Sequence, residues 1–422
     1  MRDISVTISL PLARSRLGLN AFNFFTAGVQ TGFGPFLAIY LTEAGWNQGA
    51  VGLALSVGTV AGMVTQVPGG ALVDHIYRKR EACAAGLAAV GISALVLVFW
   101  PGLVPVWGGQ ILHAVGSAVL TPAIAALTLT LSGHGAFGER LGGNARYASI
   151  GNAAAAALLG TVAYHLSHRA VFVVTAMMTL PGLAALLLIT PPAEERAPDD
   201  HPALLHPKER TAPSWNVFLE PHMHTFAVCL TLFYLGNAAM LPIALNALAA
   251  KSSAVGLVTS ASVIVPQAVV AVFSPWIGRA AQKWGRRPLL AVGFAALPLR
   301  GVLFAILPGA APLVGIEVLD GVSGTVIGIM IPLVAADLTR STGCLNLAIG
   351  SLGLAASLGA TVSTALAGWI VDVWGLRPAF LLLAAAGALG LLLLVAVMPE
   401  TRPRGDAKSG DSPPCDPPAC GA

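Results

Sequence analysis

Charge is what this chain has least of. Only 10% of its 422 residues are Asp, Glu, Lys or Arg, where a water-soluble domain carries about 25%. So thin a supply cannot coat a globular surface. The net charge of +4 is modest and does not point to nucleic acid. Cysteine is scarce too: Cys83, Cys229, Cys344, Cys415 and Cys420 show no framework spacing, so no disulfide scaffold is signalled. The sequence contains no His-Glu-x-x-His, no nucleophile elbow and no Gly-x-x-x-x-Gly-Lys loop. A metalloprotease, a serine hydrolase and an ATP-driven pump each need one of these. His201, His206, His222 and His224 are irregularly spaced and read as solvated loop residues. No enzyme activity, cofactor or metal site is expected.

What remains is apolar. The apolar fraction is 56% and the mean hydropathy +0.78. Apolar runs of about 18 to 25 residues separate clusters of charge, the length a helix needs to cross about 30 Å of hydrocarbon. Backbone groups in lipid must pair internally, so repeated runs mean helices. Spans are expected at 17–42, 48–73, 82–101, 103–131, 142–165 and 168–190, then at 223–250, 253–277, 288–308, 311–336, 345–371 and 377–398. This predicts an all-α membrane protein of twelve transmembrane helices: a six-helix bundle over 1–190, a Pro-rich linker over 191–222, a second bundle over 223–398 and a disordered tail over 399–422. With the N-terminus inside, 19 of the 23 Lys and Arg fall on the cytoplasmic side, three fall outside, and Arg300 stays within a span. The positive-inside rule then places both termini in the cytoplasm.

The two bundles repeat each other. At an offset of 208, Gly70 falls on Gly278, Asp74 on Gln282, Tyr77 on Gly285, Arg78 on Arg286 and Lys79 on Arg287. Gly160, Arg169 and Phe172 fall on Gly368, Arg377 and Phe380 at the same offset. At 207, Gln110 falls on Glu317 and His113 on Asp320. Duplicated six-span units are a common plan for secondary transporters.

The stretch "GGALVDHIYRKR", Gly69 to Arg80, resembles the Gly-x-Leu-x-Asp-x-x-Gly-Arg-Lys signature of the major facilitator superfamily, here Gly70, Leu72, Asp74, Tyr77, Arg78 and Lys79. "IGRAAQKWGRRP" is its second copy. The resemblance covers essentially the whole chain. It implies a cytoplasmic gate in which Asp74 and Arg78 latch the outward-open state, with Gly70, Lys79, Gly278, Gly285, Arg286 and Arg287 in the two copies. It also implies a cavity lined by the first, fourth, seventh and tenth spans. This chain departs from the pattern in four places. Tyr77 replaces a glycine, and Gln282 replaces the acid of the second copy. Gln110, six residues before Gly116, stands where many members have an Arg in the fourth span. "ASIGNAAAAALLG" lacks the proline of the fifth-span motif of drug–proton antiporters.

Ionisable residues at membrane depth are costly and are functional candidates by default. Here they are His113, Arg300, Glu317 and Asp320. Glu317 and Asp320 are three apart and share a helix face. At 1.5 Å per residue Asp320 lies roughly 14 Å deep, Glu317 about 9 Å and Arg300 about 12 Å. Arg300 can therefore pair with either carboxylate, as a structural lock or as a partner released on protonation. His113 can donate to a substrate or bond a neighbour. Asn23, Gln30, Gln110, Tyr234, Asn237 and Gln267 are the polar candidates for the cavity, each with helix–helix bonding as its alternative role. Asn20, Thr31 and Asn246 belong to the same group.

Two functions follow. The first is proton-coupled export of a small organic or toxic compound by alternating access. The second is proton-coupled uptake of a nutrient, sugar or metal-chelate, with metal-ion efflux a minor option. The expected partners are a small-molecule substrate, protons and the lipid bilayer. A monomer in the bacterial inner membrane is expected.

Overall fold

A computed structural model describes residues 3–33, 35–99, 102–190, 220–249, 255–307 and 309–402. Most of the linker and tail, Cys415 and Cys420 included, lie outside the described residues. The helices are α1 (Asp3–Thr31), α2 (Pro35–Glu43), α3 (Gln48–His75), α4 (Lys79–Phe99), α5 (Leu103–His165), α6 (His168–Leu187), α7 (Pro221–Asn237), α8 (Met240–Ala249), α9 (Val255–Trp284), α10 (Arg287–Ile306), α11 (Ala310–Leu338), α12 (Leu345–Trp374) and α13 (Leu376–Val397).

Eleven helical stretches among the described residues are long and apolar enough to cross a bilayer. One of them, α5, has 63 residues, about 95 Å of helix at 1.5 Å per residue. It is two spans meeting at Gly133, whose φ of 66° and ψ of 168° interrupt the helix. The fold therefore has twelve spans. A ten-residue polar loop is expected from the sequence at 132–141, but those residues are helical apart from this one glycine. The first and seventh spans, expected to be continuous, are each broken: α1 from α2 at 32–33, and α7 from α8 at 238–239. Asn47 and Ser167 start α3 and α6 by accepting from Ala50 N at 2.8 Å and Ala170 N at 3.1 Å, the N-cap bond that satisfies an orphan donor.

The duplication is visible in three dimensions. Arg169 Nε donates to Val98 O at 3.0 Å, and Arg377 Nε donates to Ala305 O at 3.0 Å. Each guanidinium tethers the end of the third span of its own half. One apolar core lies within α1 to α6, and a second within α7 to α13 with residues of α5.

The halves meet along two seams, α3 with α12 and α5 with α9. At Gly70 the backbone of Asn346 comes so close that any Cβ would overlap its carbonyl oxygen, and Gly350 meets Gln66 O in the same way. In the other seam Gly278 meets Gly138 O and Gly142 meets Ser274 O. These contacts are related by the 208-residue offset: Gly138 corresponds to Asn346, Gly142 to Gly350 and Gln66 to Ser274. Both seams lie at the end where α3 finishes and α12 begins, here called the motif face.

Gly133→Ala forces a side chain into a conformation reserved for glycine, at a cost of about 1–3 kcal/mol. The thermal midpoint of the protein in detergent is expected to fall by several degrees. An unchanged midpoint would mean that the two halves of α5 can break at another residue.

Candidate transport cavity, charge cluster and gate

Three features come from the residues singled out above. The first is a buried charge cluster. Arg300 on α10 is 2% exposed and Glu317 on α11 is 0% exposed. Arg300 Nη2 donates to both oxygens of Glu317, at 2.8 and 3.0 Å. Its Nη1 donates to Asp320 Oδ1 at 2.6 Å and to Asn237 Oδ1 at 2.7 Å. One guanidinium thus ties α10 to α11 and to the last residue of α7, beside the break in the seventh span. The planar fork suits this task, because paired N–H donors match a carboxylate. The two acids differ in access: Asp320 is 28% exposed, whereas Glu317 is sealed. Phe304 packs under the guanidinium at 5.4 Å.

The second feature is a cavity of about 780 Å³ between α1, α3, α5 and α12. Gln30, Gln66, Gln110, His113, Ser117 and Thr121 supply polar groups, and Phe33, Leu55 and Ile349 supply apolar wall. No residue lining it carries a fixed charge. His113 stacks on Phe33, with ring centres 4.1 Å apart, and its buried Nε2 has no partner among the described residues. Gln66 Nε2 donates across the seam to Ser357 Oγ at 2.8 Å. Below it, the Gly350 contact with Gln66 O forms the floor.

The third feature is the gate. Asp74 lies at the end of α3, opposite the start of α12, and α12 has no side-chain cap of its own. Asp74 supplies one from the other half. Its Oδ1 accepts from Asn346 N at 3.0 Å and Asn346 Nδ2 at 2.7 Å, and its Oδ2 accepts from Leu347 N at 2.8 Å. An anion at a helix N-terminus gains from both the free N–H groups and the dipole. Arg78 pairs with Glu81 at 2.9 Å in an exposed turn, and Lys79 Nζ donates to Val73 O at 2.6 Å. In the second copy Gln282 stands at the place of Asp74, and its Nε2 is buried without a partner among the described residues. There Arg286 turns inward to Asp337 at 2.9 Å. Glu400 accepts from Arg286 N at 2.8 Å and Arg287 N at 3.1 Å, capping α10, and the Gly285 backbone, with φ 96°, packs against that carboxylate. The start of the tail expected to be disordered is thus packed as far as Arg402, which donates to Lys283 O at 2.7 Å.

The remaining candidates separate. Asn23 bonds back to Leu19 O of its own helix at 2.7 Å. Asn20 receives a bond from Arg140 Nη2, and Thr31 donates to Asn152 at 3.0 Å. Tyr234 packs edge-on against Phe233, one turn before Asn237. Gln267 and Asn246 line none of the cavities described here. His113 belongs to the cavity and not to the charge cluster. The capping role of Glu400 has no signature in the sequence beyond its lying just after the last apolar run.

The sequence profile of the Major Facilitator Superfamily matches residues 19–247 and again 223–414. An uncharacterized MFS-type transporter of Mycobacterium tuberculosis is 36% identical over 406 residues, covering 94% of this chain and 96% of that protein. A multidrug resistance protein B homolog of the same organism is 30% identical over 131 residues, which is 31% of this chain and 24% of that protein. Among solved structures, the Escherichia coli fucose:proton symporter FucP superposes with a TM-score of 0.70 at 15% identity, covering 90% of this chain and 97% of its own.

Two outcomes follow. Arg300→Met leaves the buried Glu317 and the partly exposed Asp320 without their cation, a loss of about 3–5 kcal/mol, read as a lowered melting midpoint. Adding Glu317→Gln and Asp320→Asn should recover most of it, and a triple variant no better than the single one would refute the pairing account. Asp74→Asn removes the charge that caps α12. A cysteine at Thr121, in the cavity, should then react at least about tenfold faster with a reagent applied at the motif face, from about 1.5–3 kcal/mol of lost charge-assisted bonding. An unaltered rate would show that the glycine contacts close this face alone.

Proposed function

We propose an export mechanism from one premise: the chain belongs to the Major Facilitator Superfamily and is a membrane transporter. In this reading it sits in the bacterial inner membrane with the motif face and both termini cytoplasmic, as the distribution of Lys and Arg favours. The bundles over 1–190 and 223–398 rock about the cavity. With both glycine seams closed, the cavity faces outward. Opening the seams and closing the far side turns it to the cytoplasm.

The observation that carries the coupling is the unequal environment of two carboxylates on one guanidinium. Glu317, sealed and bidentate, holds Arg300 in place. Asp320, partly exposed and held through one bond, is the proton carrier. Protonation removes its charge and weakens that bond while Glu317 keeps the arginine. Asn237 shares the same Nη1, so the change reaches the break between α7 and α8, where the seventh span can bend. A population shift of this kind needs only a differential interaction with the two states.

The cavity is neutral, which fits a small uncharged or weakly polar compound stacked against Phe33 and His113, with Gln30 and Gln110 setting its orientation. The likeness of one part of the chain to a protein named for multidrug resistance supports export. Uptake is the second reading, supported by three glutamine amides in one cavity, a donor and acceptor set suited to a polyhydroxyl substrate.

The test is a growth-inhibition panel in an efflux-deficient bacterium, with wild type and Asp320→Asn at matched levels against several hundred toxic compounds and metals. Export predicts resistance to a subset of compounds, lost in Asp320→Asn. Resistance that survives the substitution removes Asp320 from the coupling. Sensitisation by the wild type means import.

A further inference from the structure

A second cavity, of about 460 Å³, lies at the motif face between α1, the second half of α5 and α9, away from the transport cavity. Three arginines line it, Arg16, Arg140 and Arg146, against one acid, Glu139. None of the three forms a salt bridge among the described residues. Arg140 is held in place from one side only. Its Nη2 donates to Asn20 Oδ1 and to Arg16 O, while its Nε is buried with no partner among the described residues. A buried donor on a cation is expensive to leave unpaired, and converging guanidinium groups are the usual recognition chemistry for phosphate.

Topology alone does not account for the cluster. Cytoplasmic arginines set orientation wherever they fall along the loops, yet these three converge on one hollow. The repeat does not reproduce them: at the 208-residue offset their places are taken by His224, Ala348 and Leu354. The cavity also includes Pro275 of the opposite half, the neighbour of Ser274, against which Gly142 closes the seam.

We propose that this cavity binds a phosphate-bearing anion, the headgroup of an anionic phospholipid or a free phosphate, and that binding favours the state in which the motif face is closed. The hollow is complete only while Pro275 of α9 lies against α5, so an anion seated there stabilises that state through its differential affinity. Basic pockets between transmembrane helices on the cytoplasmic side are suited to such headgroups.

The experiment is a thermal-shift titration of the full-length protein in a neutral detergent, with three ligands: inorganic phosphate, short-chain phosphatidylglycerol and short-chain phosphatidylcholine. It uses wild type, Arg140→Gln and Arg146→Gln. Arg146 is exposed, so its variant tests the site even if Arg140→Gln, which loosens α1, fails to fold. The expected result is a saturable rise in melting midpoint with phosphatidylglycerol, with phosphate or with both, none with phosphatidylcholine, and an apparent Kd about tenfold weaker in Arg146→Gln, the equivalent of roughly 1.4 kcal/mol. A rise with phosphatidylglycerol alone assigns the site to lipid. A rise with phosphate alone assigns it to a soluble anion. No rise with either anion, an equal rise with phosphatidylcholine, or an affinity unchanged by Arg146→Gln overturns the proposal.

Discussion

The three hydrogen bonds that Asp74 accepts at the start of α12 are the contact on which the closed motif face depends. A helix that begins inside a seam between two bundles has free N–H groups and no water to take them. α12 brings no cap of its own, so the cap comes from the other half, and the two bundles are joined there by a carboxylate. The glycines around it exist for the same reason. Gly70 and Gly350 let backbone meet backbone, which brings the carboxylate within reach of Asn346 and Leu347. The equivalent seam between α5 and α9 has the glycines but a glutamine in place of the acid. The interior of α5 is broken only at Gly133, so it presents no comparable capped start at that seam.

The same rule, that each polar group in a dry interior must be answered, explains the charge cluster. Through its two Nη groups Arg300, on α10, satisfies two carboxylates of α11 and an amide of α7. Such a cluster costs stability compared with apolar packing. Its presence at depth, with one acid sealed and the other partly exposed, is what gives the proposed coupling its physical content.

Much of this could be read in the sequence. Twelve spans followed from length and hydropathy, since helices in lipid leave a strong one-dimensional signal. Arg300, Glu317 and Asp320 stood out because ionisable groups at depth are so few, and their depths along neighbouring helices suggested that they meet. Asp74 was legible from its place in a repeated pattern. The breaks in the first and seventh spans were not, because Thr31 to Phe33 and Ala238 to Ala239 sit within apolar runs that read as unbroken. The helical stretch around Gly133 reads as a loop because its small and polar residues suggest water, and Gly133 to Ala136 are indeed exposed, yet they stay helical on either side of that one glycine. Arg16, Arg140 and Arg146 looked like scattered topology markers. Only folding, which brings α1 beside the second half of α5, makes them one cluster. The fold also separates residues that the repeat had paired: His113 and Asp320 hold matched positions but belong to different sites.

Where the seams come closest, at Gly70, Gly142, Gly278 and Gly350, backbone meets backbone with no side chain between. In a membrane there is little hydrophobic drive to press two greasy faces together, and backbone meeting backbone through glycine buries few atoms that would resist parting. What distinguishes shut from open at this end is then chiefly the Asp74 cap, a charge-assisted set worth about 1.5–3 kcal/mol. That is a population ratio of roughly ten to about 150, large enough to define a resting state and small enough for thermal motion to cross without fuel.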